Sequence, residues 1–323
     1  MSRILVTGAA GFIGSHLCEA LLAAGHQVAG VDNFDPFYPR AVKERNLAAL
    51  RGHAGFLFSE GDVVRDPLPL DGVEAIIHLA AKPGVQPSLD NPVSYMEANV
   101  SATARLLDLA RRAGIARVVF GSSSSVYGES TPAPFAEDAV ADQPISPYAA
   151  SKRAGELVSR VFTHLYRTRI ACLRFFTVYG PRQRPDLAIH RFTARIVADQ
   201  PIQMRGDGSS ERDYTYVSDV VDGIQAALDW TSRAGSGAIE PWRVFNLGGG
   251  GRVRLDRLIA LIGAAAGRTP VIERAPDQPG DVSLTAADLR RSERELGYRP
   301  RVGIEEGIGR FVAWYREVHG RES

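Results

Sequence analysis

Short unbroken apolar runs recur along the first half of the chain, at residues 4–7, 27–31, 55–60, 75–81 and 117–121. Most are closed by glycine or small residues, as suits strands of a parallel sheet buried on both faces. Between them the apolar period lengthens to that of amphipathic helices, at 15–24, 41–50, 94–113 and 148–166. Beyond Phe176 the pattern turns irregular and richer in proline and glycine. Helices are expected there near 187–198, 218–230 and 255–266, with two more near the C-terminus and strands at 201–204 and 244–247. Strands alternating with helices predict an α/β architecture with a parallel sheet covered on both faces. No internal repeat or low-complexity tract interrupts it.

The first run leads into Gly8-Ala-Ala-Gly11-Phe-Ile-Gly14 and then a helix. Strand, glycine turn and helix make the start of a dinucleotide-binding unit: the first glycine permits the tight turn, the second lets backbone approach a pyrophosphate, and the third allows close packing. The helix N-terminus offers N–H groups and positive dipole to phosphate. The second strand ends in Asp32, roughly 20 residues on, where a carboxylate accepts from the ribose hydroxyls and repels a 2′-phosphate, so NAD is favoured over NADP. Asp62, after the third strand, either bonds the adenine amino group or only terminates the strand. His78, inside an apolar run, reads as a core histidine. The expected fold is thus a Rossmann-type doubly wound parallel sheet with a smaller C-terminal α/β lobe. Residues 1–176, with contributions from about 215–250, form the NAD-binding domain, and 177–323 are mainly a substrate-binding lobe.

Composition narrows the partners. The chain of 323 residues is 45% hydrophobic and 23% charged, with a formal net charge of +1. That balance gives no reason to expect nucleic acid or a membrane surface as partner. No apolar run reaches the ~18 residues of a membrane helix, and glycines break up the opening stretch too early for a signal peptide. Cys18 and Cys172 lie in apolar contexts as free thiols, which points to a reducing compartment and makes the cytoplasm the expected location. No metal is expected.

The chemistry centres on Tyr148-Ala-Ala-Ser-Lys152, preceded by Ser146-Pro147 at the expected helix start. On a helix, Tyr148 and Lys152 stand one turn apart on one face. A lysine ammonium, and a nicotinamide cation beside it, favour the phenolate and make Tyr148 a base able to take a proton from a sugar hydroxyl. The pair alone would equally suit a tyrosine packed under a lysine stem. Ser123 adds a third element, a hydroxyl just past a strand at the carboxyl edge of the sheet, where such sheets bind ligands.

Several further segments carry a resemblance: His78-Leu-Ala-Ala81, Asn99, Ser124-Ser-Val-Tyr-Gly128, Leu173-Arg-Phe-Phe176, Tyr179-Gly-Pro181 and Arg212-Asp-Tyr214. With the glycine motif, Asp32, Tyr148 and Lys152, they make nearly the whole chain similar to the extended short-chain dehydrogenase/reductases that act on nucleotide sugars. Asp32-Asn-Phe-Asp-Pro-Phe-Tyr38 and Arg174-Phe-Phe-Thr-Val-Tyr-Gly-Pro-Arg-Gln-Arg-Pro-Asp186 most resemble UDP-glucuronate 4-epimerases. The resemblance implies a tightly held NAD that oxidises C4 of the sugar and returns hydride to the other face once the 4-keto ring has turned. It implies Tyr148 as base, Lys152 as its electrostatic partner and ribose ligand, and Ser123 as the catalytic hydroxyl. Cofactor contacts carried over are Gly8, Gly11, Phe12, Ile13, Gly14, Asp32, Asn33, Asp62, Val63, Leu79, Ala80, Ala81, Lys82, Asn99, Ser122, Tyr148, Lys152 and Phe175. Substrate contacts carried over are Ser123, Ser124, Ser125, Val85, Gln86, Thr177, Arg184, Arg212, Gln278 and Asp281. The long helices at 94–113 and 148–166 suit a homodimer through a four-helix bundle.

Oxidising C4 of a glucuronate creates a β-keto acid, which loses CO₂ when the carboxylate bond aligns with the carbonyl π-system. An epimerase must hold the carboxylate out of that alignment, and Thr177 and Arg184 match the positions for doing so, a guanidinium giving two parallel bonds. Arg184 as a surface or diphosphate-binding residue is the alternative. Hexose 4-epimerases usually resemble asparagine at Thr177. Nucleotide-sugar 4,6-dehydratases resemble one another in an Asp-Glu pair at Ser124-Ser125, and the decarboxylases in a glutamate at Ser125. Two positions depart from the uronate pattern: Gln86 stands where arginine is common, and Gln278 replaces the arginine before Gly-Asp. The expected activity is UDP-glucuronate 4-epimerisation. UDP-glucose or UDP-N-acetylglucosamine 4-epimerisation is the alternative, and a silent NAD-binding regulator the third reading.

Overall fold

Ile4, Leu5 and Val6 are all fully buried, yet successive side chains of a strand point to opposite faces. Ile4 and Val6 pack in one core layer with Leu17 and Leu21, while Leu5 joins the other with Leu106 and Leu107. Both faces of the strand are therefore covered, which is why it reads as a continuous apolar run. The computed structural model describes residues 1–235, 240–276 and 284–320. In chain order its elements are β1 (Arg3–Thr7), α1 (Phe12–Ala23), β2 (Gln27–Asp32), α2 (Arg40–Leu47), β3 (Phe56–Glu60), β4 (Ala75–His78), α3 (Val85–Asp90), α4 (Pro92–Met96), α5 (Ala102–Arg112), β5 (Arg117–Ser123), α6 (Pro147–Tyr166) and β6 (Arg169–Phe175). There follow β7 (Thr177–Tyr179), α7 (Ala188–Val197), β8 (Ile202–Arg205), β9 (Glu211–Tyr216), α8 (Val217–Arg233), β10 (Trp242–Leu247), β11 (Arg252–Arg254), α9 (Leu255–Ala266), β12 (Ile272–Ala275), α10 (Arg290–Leu296) and α11 (Ile304–His319).

Seven strands form one sheet in the order β10-β6-β5-β4-β1-β2-β3, and every pairing in it is parallel. This is the Rossmann-type doubly wound sheet the pattern predicts. Strand order reverses between β1 and β4, so a crevice opens outside their carboxyl ends, where such sheets take ligands. The chain after β6 returns to this sheet, since α8 packs on α1, β5 and β6, and β10 adds its edge strand. Two small sheets, β11-β9-β7 and β12-β8, belong to the later part of the chain.

Two differences from the pattern matter for the site. The expected helix over 94–113 is broken: α4 ends at Met96, a π-helical turn covers Glu97–Ser101, and α5 resumes at Ala102. Asn99 sits in that turn, a kind of insertion frequent at functional positions. β6 is a strand that hydrophobic periodicity does not single out, because its short apolar run, Ile170 to Leu173, is bounded by Arg169 and Arg174; Arg174 is only 1% exposed. α6 begins as its sequence suggests, with Pro147 in the first turn and the Ser146 hydroxyl accepting from the backbone N–H of Ala149 at 3.1 Å.

Candidate active site

A cleft of about 310 Å³ opens at the carboxyl ends of β1 to β6. Its floor is the turn between β1 and α1. Gly8 adopts φ +76°, and a Cβ on Gly14 would lie 2.0 Å from the carbonyl oxygen of Gly8. Only glycine therefore lets α1 begin tight against the turn, with its N-terminal N–H groups facing the cleft. Asp32 closes β2, its Oδ2 accepting from Ala10 N at 3.2 Å and its Oδ1 from Phe34 N at 2.9 Å. Lys43 lies 3.5 Å from the same carboxylate, so this lysine is already paired where an extra phosphate would need a free cation. The cradle and the carboxylate fit a dinucleotide with an unphosphorylated ribose.

The predicted cofactor residues gather here. Gly8, Gly11, Phe12, Ile13, Gly14, Asp32, Asn33, Asp62, Val63, Leu79, Ala80, Ala81, Lys82, Ser122, Tyr148, Lys152 and Phe175 all line the cleft. Asp62 also closes its strand: Oδ1 accepts from Val64 N at 2.7 Å and Oδ2 from the Asn33 amide at 3.2 Å. Asn99 is the exception. It does not line the cleft, because its amide is spent on the backbone of Lys82, accepting from N at 2.7 Å and donating to O at 3.0 Å, and on Ser151 Oγ at 2.8 Å. It holds the cleft wall from behind. His78 is the core residue its run suggests, bonded to Thr7 and Thr103 and driven down to about 3 by burial, hence neutral.

Tyr148 and Lys152 face the cleft from the first turns of α6. Lys152 is 6% exposed and donates to the carbonyl oxygen of Gly121 at 2.8 Å. Burial lowers its pKa to about 8, with the Glu156 carboxylate opposing. Burial likewise raises the Tyr148 phenol, against a hydrogen bond from Ser123 and the positive charge of Arg184, both of which pull it down. Without ligand, desolvation thus dominates at both groups, and the groups that draw the phenol down are Ser123 and Arg184. Ser123 Oγ accepts from Ser125 N at 3.2 Å and is 3.0 Å from Ser125 Oγ, so its own proton is free to serve the tyrosine oxygen.

Of the predicted substrate residues, Arg184 alone lines this cleft among the described residues. Asp186 holds its Nε and Nη2 at 2.9 and 2.8 Å, and the Phe37 ring lies 5.3 Å beneath the guanidinium. Ser124 and Ser125 form the short 3₁₀ turn after β5, with no carboxylate there. Thr177 is half-buried in β7, Arg212 is in β9 with its Nη1 donating to the Glu211 carbonyl at 3.1 Å, and Val85 and Gln86 open α3. Gln278 and Asp281 lie outside the described residues. Sequence reasoning missed Phe37, Tyr38 and Lys43 in the cleft wall. The aromatic pair after Asp35-Pro36 was the available signal.

Residues 4–248 match the NAD dependent epimerase/dehydratase family. A probable UDP-glucuronate 4-epimerase of Rhizobium meliloti is 38% identical, over 99% of this chain and 98% of its own. A UDP-glucuronate 4-epimerase of Thermodesulfobacterium geofontis is 37% identical, over 98% and 97%. The crystal structure of UDP-glucuronic acid 4-epimerase from Bacillus cereus, in complex with UDP-glucuronic acid and NAD, superposes with a TM-score of 0.91 at 34% identity, covering 98% of this chain and 99% of that one. A match of this length to the family model, with relatives similar over nearly the whole chain, leaves one conclusion: the chain belongs to the NAD dependent epimerase/dehydratase family.

Proposed function

We propose that the protein is an NAD-dependent UDP-glucuronate 4-epimerase, interconverting UDP-glucuronate and UDP-galacturonate. The observation that carries this reading is Arg184 lining the same cleft as the glycine cradle, Tyr148 and Lys152. A guanidinium at the reacting end suits an acidic sugar, and Asp186 leaves its Nη1 side for an incoming carboxylate. Thr177, with its hydroxyl, is the second partner assigned to that carboxylate. Together they keep the acid group of the 4-keto sugar out of alignment with the carbonyl, so the ring turns without losing CO₂.

NAD, when bound, supplies a hydride acceptor for C4 and a cationic ring beside Tyr148. Tyr148, held as a neutral phenol by burial, then ionises more readily and takes the C4 hydroxyl proton. Ser123, its acceptor positions turned to Ser125, donates to the oxygen that carries the developing charge. Lys152 keeps its ammonium near the tyrosine and anchors to Gly121. Ser124 and Ser125 supply hydroxyls where dehydration would need a carboxyl acid and carboxylate base, so proton removal at C5 has no agent. Arg212, with Gln278 and Asp281, is assigned to the diphosphate, and Val85 and Gln86 to the sugar.

The division of labour assigned to the chain is a cofactor half, 1–176 with about 215–250, and a substrate half from 177 onward. A homodimer is part of the proposal, supported by the exposed row Leu157, Val161 and Leu165 on α6 beside Val93 and Met96 on α4. The free, buried Cys18 and Cys172 suit the cytoplasm. The deciding experiment incubates the purified protein separately with UDP-glucuronate, UDP-glucose and UDP-N-acetylglucosamine, with products identified by NMR. UDP-galacturonate from the first, at the highest kcat/KM of the three, is expected. Preference for a neutral hexose rejects the assignment and favours the hexose 4-epimerase reading, and CO₂ as the main product rejects it by showing that the acid arm is not held.

A further inference from the structure

Three successive residues at the end of β5 each hold a different residue of α6. The Gly121 carbonyl accepts from Lys152 Nζ at 2.8 Å, Ser122 Oγ donates to Glu156 Oε1 at 2.6 Å, and Ser123 hydrogen-bonds Tyr148. Tyr148, Lys152 and Glu156 are spaced at successive turns, so they share one face of α6. Nothing in the reaction uses Glu156, yet it is 0% exposed and its carboxylate is fully engaged. Besides Ser122, Arg174 donates to it from Nε at 2.9 Å and from Nη2 at 2.8 Å, and Arg153 Nη1 donates at 2.8 Å. Arg174 reaches it from β6, directly across from Ser122 in the sheet. Gly155 lets this layer close: a Cβ there would lie 2.4 Å from the Phe120 ring.

We propose that Glu156 is a positioning residue for the Tyr148–Lys152 pair, bolting the end of β5 to α6 through Ser122 and Arg174 and supplying the buried countercharge of Lys152. A buried ion pair gives little stability over an apolar core. Its location, one turn beyond Lys152 and bonded to Ser122, the strand residue before Ser123, gives it a different consequence. Each group facing Lys152 leaves this role to Glu156. Tyr148 on α6 is neutral without ligand, and His78 on β4 is neutral at working pH. Phe120 on β5 offers only its ring, at 5.4 Å, and Arg174 on β6 is spent on Glu156. Burial pushes the Lys152 ammonium toward losing its proton, and the carboxylate opposes that loss. Removing the carboxylate therefore lowers the lysine pKa, and activity fails at a lower pH on the basic side.

The inference rests on Tyr148 and Lys152 acting as proposed above, so Tyr148→Phe is assayed alongside; turnover surviving in that variant would sink the functional reading itself, whatever Glu156 does. The measurement is kcat and KM against pH, with bound NAD and thermal midpoint recorded for each protein. Glu156→Gln is expected to lower kcat at neutral pH about tenfold with KM little changed, and to move the basic limb of kcat down by about one unit. Because it leaves Arg174 buried without its partner, Glu156→Gln with Arg174→Met is the companion that removes both charges; it is expected to recover thermal midpoint and to displace the limb less than Glu156→Gln alone, since the lost cation offsets part of the lost countercharge. Ser122→Ala keeps the charge and loosens the bolt, so kcat falls while the limb stays. A folded, NAD-loaded Glu156→Gln with the wild-type limb overturns the countercharge, as does a double variant with a limb displaced as far as or further than in Glu156→Gln alone, and wild-type kcat in Ser122→Ala overturns the bolt.

Discussion

Arg184 sits where two demands meet. The proposed function asks it to bind an acidic substrate, yet it sits among Tyr38, Tyr148 and Phe37. Asp186 answers the second demand, keeping the half-buried cation paired through its Nε/Nη2 edge. Hydrogen bonds to a charged group are worth about 1.5–3 kcal/mol each, so Arg184→Ala should cut kcat/KM for UDP-glucuronate by roughly 10- to 100-fold. It should also release UDP-pentose and CO₂, because the oxidised intermediate loses the hold on its acid arm. NMR of the products and assayed CO₂ check this; unchanged kinetics with an unchanged product reject the clamp. The same position shows what residue types reveal. Tyr148, Lys152, Asp32 and the glycines were legible because their chemistry demands those residues at those spacings. That burial would oppose the Tyr148–Lys152 ionisation, and that Asn99 would bond the Lys82 backbone, were not, since both depend on what surrounds them.

At the scale of elements, α6 carries most of the site and its start is written locally. Ser146 accepts from Ala149 N and Pro147 presets the first turn, two residues or fewer before Tyr148. Loss of that cap by Ser146→Ala should cost about 1 kcal/mol. Denaturant titration should show it as a lower midpoint at unchanged slope; an unchanged midpoint would mean the cap bond contributes nothing. Strands β1, β2, β4 and β5 announced themselves as apolar runs because both sheet faces are covered there. β6 did not, since Arg174 lies on the face that meets Glu156, and only a partner from a distant helix makes a buried arginine acceptable there. The π-helical turn at Glu97–Ser101 was equally silent: the bonds of Asn99 to Lys82 and Ser151 that accompany it join segments far apart in sequence.

The whole molecule leaves one helix with two duties. The inner face of α6 bears Tyr148, Lys152 and Glu156, while its outer face exposes Leu157 at 50%, Val161 at 53% and Leu165 at 58%. Recurring every fourth residue, these make a continuous apolar stripe, extended by Val93 and Met96 of α4. Scattered exposed apolar residues need no explanation, but a stripe along a helix marks a docking face. A second copy covering it would complete four helices, two from each chain, and would brace the outer side of the helix that positions the base. Val161→Glu places a charge at the centre of that stripe, where burial without a partner is strongly unfavourable. Light scattering after size exclusion should then find the wild type at twice the 35.0 kDa of one chain and the variant at the single-chain mass. Because the two duties share one rigid element, the monomeric variant should also show a lower kcat while NAD content is retained. A wild type already monomeric, or a variant that remains dimeric, removes the stripe from the assembly and leaves the inner face to stand on its own packing.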